Sequence, residues 1–316
     1  MNDSGNDLDL SASQLNQALA SDLIEACKTG NVSRLQTLFP QYQKAPPASV
    51  PSPQFLLQVA ARTGQAETVR AIWSLLPPEN HQPPHHPWNP RIPPGVYFNS
   101  IPRQWRIYED GIIHEALMAE EPLEVFKFFF EHGMKPDHNL DRAINIMAQA
   151  ISHNHVNLAR FLLEQGAKPT GRYIQPEDTY LGEAARKPSS DMLKLLLQHG
   201  ARLEGSQALR QAAEAGQLRN AGILLESGAD VNEVFTRYDW VKGEDQVMGC
   251  ALHFAVKDSE LICERQVSKV EMIQFLLSRG ARLDVVDGEG LTPRQIAANM
   301  GEAAILEVLR QHENGL

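Results

Sequence analysis

Cysteine is scarce in this chain: Cys27, Cys250 and Cys263 are the only three among 316 residues. Thiols so few and so scattered exclude a disulfide framework and suit a reducing compartment. Long apolar runs are missing too, none approaching the roughly 20 residues of a membrane helix. The opening Met1-Asn2-Asp3-Ser4-Gly5-Asn6-Asp7-Leu8-Asp9 is acidic and polar, the reverse of a signal peptide. Lysine- and arginine-rich runs are likewise absent, and the formal net charge is −10. That balance argues against a general phosphate-binding face. The expectation is a cytosolic or nuclear protein with no membrane contact and no direct nucleic-acid partner.

What is present is a soluble composition, 42% hydrophobic and 22% charged, and a phrase that repeats. It occurs as Phe128-Phe129-Phe130-Glu131-His132-Gly133 and as Phe161-Leu162-Leu163-Glu164-Gln165-Gly166. It returns as Leu195-Leu196-Leu197-Gln198-His199-Gly200, Ile223-Leu224-Leu225-Glu226-Ser227-Gly228 and Phe275-Leu276-Leu277-Ser278-Arg279-Gly280. Its glycines are spaced by 33, 34, 28 and 52 residues. Three apolar residues end an amphipathic helix, and the glycine supplies the positive φ needed to leave it. An alanine-rich shorter helix precedes each phrase, as in Ile113-His114-Glu115-Ala116-Leu117 and Leu209-Arg210-Gln211-Ala212-Ala213. Polar turns such as His153-Asn154-His155 and Glu214-Ala215-Gly216-Gln217 separate the paired helices.

A helix, a tight turn and a second helix in about 33 residues resembles the ankyrin repeat. Ala251-Leu252-His253-Phe254-Ala255, after Cys250, is similar to the family's T-x-L-H-x-A signature. Gly290-Leu291-Thr292-Pro293-Arg294-Gln295-Ile296-Ala297 resembles the opening of the next unit, and Asp230-Val231-Asn232 the turn after a second helix. Fainter units centre on Asp22–Asn31 and Leu57–Gln65. The irregular style resembles ankyrin proteins of filamentous fungi. The implied fold is all-α: an ankyrin-type helical solenoid of about eight helix-turn-helix units, with short finger turns and two loop insertions. Its expected organisation is a disordered acidic stretch 1–12, degenerate units 13–76, a Pro/aromatic insertion 77–111, the main array 112–311 interrupted within 233–269, and a tail 312–316. The resemblance also implies that Thr292 and Pro293 start a helix and that His253 hydrogen-bonds neighbouring backbone. Cys250, at the threonine position, is expected to be small and buried.

The insertions are what individualise the chain. Fourteen of the twenty prolines lie between Pro40 and Pro102, which excludes regular helix through much of that stretch. The first insertion carries Trp88, Tyr97, Phe98, Trp105 and Tyr108, the second Phe235, Tyr238 and Trp240. Long insertions are uncommon without a role, and aromatics are favoured anchors. Trp88, Tyr97, Trp105, Tyr108, Tyr238 and Trp240 are therefore candidate partner-binding residues; folding back to cap gaps in the array is the alternative.

Chemistry-bearing motifs are few. His81, His85 and His86 lie close together, and His153 pairs with His155, but neither group has zinc-type spacing to cysteine or carboxylate. No dinucleotide fingerprint, Walker sequence or hydrolase elbow occurs, so no catalytic residues, cofactor, metal or small-molecule substrate is expected. Glu120, Glu121 and Glu264 are expected on solvated turns. The resemblance implies a protein–protein interaction scaffold with an unidentified protein partner. The alternatives are a regulatory or accessory subunit of an enzyme or transcription complex and, for Asp230-Val231-Asn232, a substrate of an asparagine hydroxylase.

Overall fold

The computed structural model describes residues 12–74, 110–136, 140, 145–173, 179–239, 242–257 and 265–315. These residues are mostly helical, with sixteen α-helices and one two-stranded sheet among them. Contacts divide the chain into two compact units, Met1–His138 and Asn139–Leu316.

The first unit holds three helix pairs: α1 (Ala12–Thr29) with α2 (Val32–Lys44), α3 (Pro53–Arg62) with α4 (Ala66–Trp73), and α5 (Asp110–Leu117) with α6 (Leu123–Glu131). First helices pack on first helices, α1 on α3 and α3 on α5. Second helices do likewise, α2 on α4 and α4 on α6. Buried Ala60, Ala61 and Ala116 keep the first helices close. The second-helix row is filled by large side chains: Phe126, Phe128 and Phe129 are all buried, and Trp73 stands edge-on to Phe128 with ring centres 5.5 Å apart. Pro40, the first proline of the proline-rich stretch, lies inside α2. It is exposed, as is Gln36, so the carbonyl that Pro40 cannot serve faces water.

The second unit continues the pairing with α7 (Ile146–Ser152) and α8 (Val156–Glu164), α9 (Tyr180–Ala185) and α10 (Asp191–Gln198), and α11 (Ala208–Glu214) and α12 (Leu218–Glu226). After the strands β1 (Phe235–Asp239) and β2 (Glu244–Gly249) come α13 (Ala251–Val256) with α14 (Lys269–Ser278) and α15 (Pro293–Met300) with α16 (Ala303–Gly315). The first helices α7, α9, α11, α13 and α15 pack in that sequence, one on the next. Helix α16 runs on through residues 312–315, expected to be tail. Thr292 caps α15 through a reciprocal bond with Gln295, and Pro293 takes the first helical position, where its missing N–H costs nothing.

Helix exits follow the repeated phrase. Gly228 adopts φ +97°, which lets the Ala229 N–H turn back to the Leu224 carbonyl at 3.0 Å. The turn between α7 and α8 uses the same geometry without glycine: Asn154 sits at φ +57°, and His155 N–H reaches the Ala150 carbonyl at 2.8 Å. Asparagine is among the few other residues that tolerate this region.

Residues 233–248, expected as a loop insertion, instead contain an antiparallel hairpin. Its register pairs Thr236 with Val247 and Asp239 with Glu244. Phe235 is buried edge-on to Phe254, which roots the hairpin in the helices. Residues 258–264, in the later part of that interruption, lie outside the described residues.

Candidate interaction site

One pair has the outline of a nucleophile and its base. Cys250 Sγ lies 3.3 Å from His253 Nδ1. Its surroundings keep both groups neutral: burial pushes the Cys250 thiol up, and burial pulls His253 below its ordinary value. Both residues are fully buried, so no substrate reaches them. The hydrogen bonds give the pair a structural task. Cys250 N–H donates to His253 Nδ1 at 3.1 Å, leaving Nε2 to donate to the Leu291 carbonyl at 3.2 Å in the next repeat. Gly249 admits the ring, since a Cβ there would stand 2.5 Å from it. Asp287 fixes the other side by accepting the N–H groups of Glu289 and Leu291 at 3.0 and 3.1 Å. Burial by itself would raise its carboxyl, yet those bonds and Lys257 hold it below the usual range.

The turns that follow the second helices form the other candidate. In the second unit they are tied to one another, mostly through side chains. Arg202 N–H donates to Thr170 Oγ1 at 3.2 Å, and Gly205 N–H to Glu233 Oε1 at 3.0 Å. Asn232 accepts from Arg282 N–H at 2.8 Å and donates to the Gly280 carbonyl at 3.1 Å. Gly288 N–H donates to the Val247 carbonyl at 2.7 Å. Two adjoining cavities open along this row. The first, about 430 Å³, lies between the turns at 169–172 and 201–206. The second, about 300 Å³, lies against β1 and shares Arg172 and Gly205 with it. Arg172, Arg202 and Arg237 line these cavities, and none forms an ion pair among the described residues. Val234 just before β1, Tyr238 and Val247 on the hairpin, and Val286 on the turn after α14 are exposed apolar or aromatic groups.

Of the six candidate partner-binding residues, Tyr238 alone is described; it is exposed on β1 and lines the second cavity. Trp88, Tyr97, Trp105, Tyr108 and Trp240 lie outside the described residues, as do His81, His85, His86 and Glu264. His153 and His155 stack with ring centres 5.7 Å apart, and His153 Nδ1 meets the Gln149 carbonyl at 3.0 Å, a helix-end contact. Among the described residues, no group of three or more His, Cys, Asp or Glu side chains is placed to hold a metal ion. No described helix is long and apolar enough to cross a membrane.

Asn220 escaped the sequence reading. It is fully buried on α12 and donates to the Ala185 and Lys187 carbonyls of the preceding repeat at 2.9 and 2.8 Å. Its only sequence signal is a polar residue where the other phrases place an apolar one. No family model matches the chain.

Proposed function

We propose that this protein is an ankyrin-type array acting as a non-catalytic protein–protein interaction scaffold. The row of second-unit turns carries the reading: exposed Val234 and Tyr238 line one of two cavities whose arginines form no ion pair among the described residues, and Val247 and Val286 are exposed on β2 and on the turn after α14. Apolar and aromatic groups rimmed by charge are the composition of a docking surface. The eight helix pairs among the described residues and the packing of first helices on first helices within each unit support an ankyrin-type solenoid. Fold by itself does not fix function, so the surface must be tested directly.

The test is affinity capture with the full chain as bait, followed by mass spectrometry. Tyr238→Ala combined with Val247→Ser should reduce recovery of a specific protein at least fivefold while helical content stays unchanged. Undiminished recovery by the double variant would remove the turns from the interface. Turnover in a hydrolase or transferase screen would overturn the scaffold reading itself.

A further inference from the structure

Building on the interaction reading, we infer that the outer edge of β1 receives an extended segment of a partner polypeptide, paired backbone to backbone, with an acidic side chain opposite Arg237.

The backbone directions follow from the hairpin's neighbours. β1 and β2 form a two-stranded sheet, so each has an outer edge. The outer edge of β2 is used, because Gly288 N–H donates to the Val247 carbonyl at 2.7 Å. In an antiparallel strand the N–H and C=O of one residue point to the same side. Val247 therefore faces away from β1, and its register partner Thr236 faces away from β2. The turn bond from Gly243 N–H to the Asp239 carbonyl at 2.7 Å agrees, since Asp239 lies three residues on and faces inward. The N–H and C=O of Thr236, and those of Val234 two residues before it, thus point outward. No turn, loop or cap bond among the described residues occupies them.

Edges of this kind are usually blunted by lysine, proline or a bulge. Phe235–Asp239 contains neither residue type, and its register irregularity skips Met248 on the β2 side. The adjoining cavity of about 300 Å³ has Arg172, Gly205 and Gln207 on its wall. A paired strand needs about 4.8 Å of spacing, whereas a helix with side chains needs about 10 Å. Backbone pairing at a strand edge calls for an extended segment.

Charge selects its side chain. Arg237 forms no ion pair among the described residues: Glu244, the register partner of Asp239, shares its face without pairing to it, and the other nearby carboxylates are committed or on the far face. Glu233 Oε1 accepts from Gly205 N–H. Asp239 accepts from Gln246 Nε2 and from Lys242 N–H. Asp245 pairs with Tyr238 and so belongs to the opposite face of the sheet, although it reaches the rim of the same cavity. A residue facing Arg237 across a new strand pair would bring its Cβ within about 5 Å, where a carboxylate is favoured.

Fluorescence anisotropy with the full chain tests this, using a labelled Gly-Val-Glu-Val-Glu-Val-Gly peptide. Two controls are the same peptide N-methylated on alternate amides and a version with Lys in place of Glu. Saturable binding is expected for the acidic peptide, weakened about tenfold by N-methylation. Thr236→Pro should weaken it similarly, because the lost N–H points away from β2 and the hairpin keeps its own bonds. Arg237→Glu should transfer preference to the Lys peptide. Binding indifferent to N-methylation, or no saturable binding, overturns the inference whatever the variants do. Selection of random displayed peptides on the same protein separates this from the broader reading. Selected binders unaffected by Thr236→Pro defeat the β1 edge while leaving an interaction scaffold standing, and selected binders lost in that variant support both.

Discussion

Helix pairs in residues 12–131 are joined to one another differently from those in residues 146–315. In the first unit, the polar links between repeats include ion pairs between partly exposed side chains, Arg62 with Glu115 at 2.7 Å and Arg70 with Glu131. Its interior is aromatic, with Trp73, Phe126, Phe128 and Phe129 in the second-helix row. In the second unit, buried polar side chains reach the backbone of the neighbouring repeat: Asn220 to Ala185 and Lys187, His253 to Leu291. Tyr173 OH adds a bond to the Ala148 carbonyl at 2.9 Å. Stacked repeats can therefore be held by apolar volume or by directional bonds. The second means fixes the turns as well as the helices, and those turns carry the candidate site.

The largest expected effect probes the apolar means. Phe129→Ala should destabilise the first unit by about 3–5 kcal/mol. Urea unfolding with hydrogen exchange would locate the loss in residues 12–136, and a cost under about 1 kcal/mol would show that the aromatic row is not its main support. Next comes the directional means. His253→Ala should cost about 2–3 kcal/mol by stranding Cys250 N–H and the Leu291 carbonyl. Asn220→Ala should follow at about 1–3 kcal/mol, read by the same denaturation.

Acidification should separate the units. His253 is held below its ordinary value of 6.5 by burial, so the folded state binds fewer protons than the unfolded state. Its stabilising contribution is present above about pH 6.5 and is lost as pH falls through the lower folded value. Calorimetry from pH 7.5 to 5.0 should show this decline in the native chain and a shallower one in His253→Gln. Equal slopes would place the sensitivity elsewhere. The smallest effect belongs to the exposed pairs: Arg62→Ala should cost under about 1 kcal/mol, and less in 1 M salt. A larger, salt-independent cost would mean that the Arg62 stem contributes by packing.

Much of the helix pairing was legible because it is local. The LLxxG phrase announces both the buried face of a helix and the residue that ends it, and Thr292-Pro293 announces a start. His253 and buried Cys250 were legible through the resemblance. The hairpin was not: Phe235–Asp239 and Glu244–Gly249 are short and largely polar, with no Asn-Gly turn to mark them. That α2 runs on through Pro40 was not legible either, since only exposure tells whether the orphaned carbonyl can be hydrated. The tie made by Asn220 depends on carbonyls more than thirty residues away, which no local pattern reports.

The sequence by itself determined that this chain forms helix pairs at a period near 33 residues, because helix propensity, apolar spacing and glycine exits act within a few residues of one another. Tertiary structure alone decided what surface those pairs present. Which backbone groups of β1 face outward depends on Gly288 meeting Val247, and which arginines remain unpaired depends on carboxylates brought from other turns. Those are long-range contacts, settled only when the repeats stack.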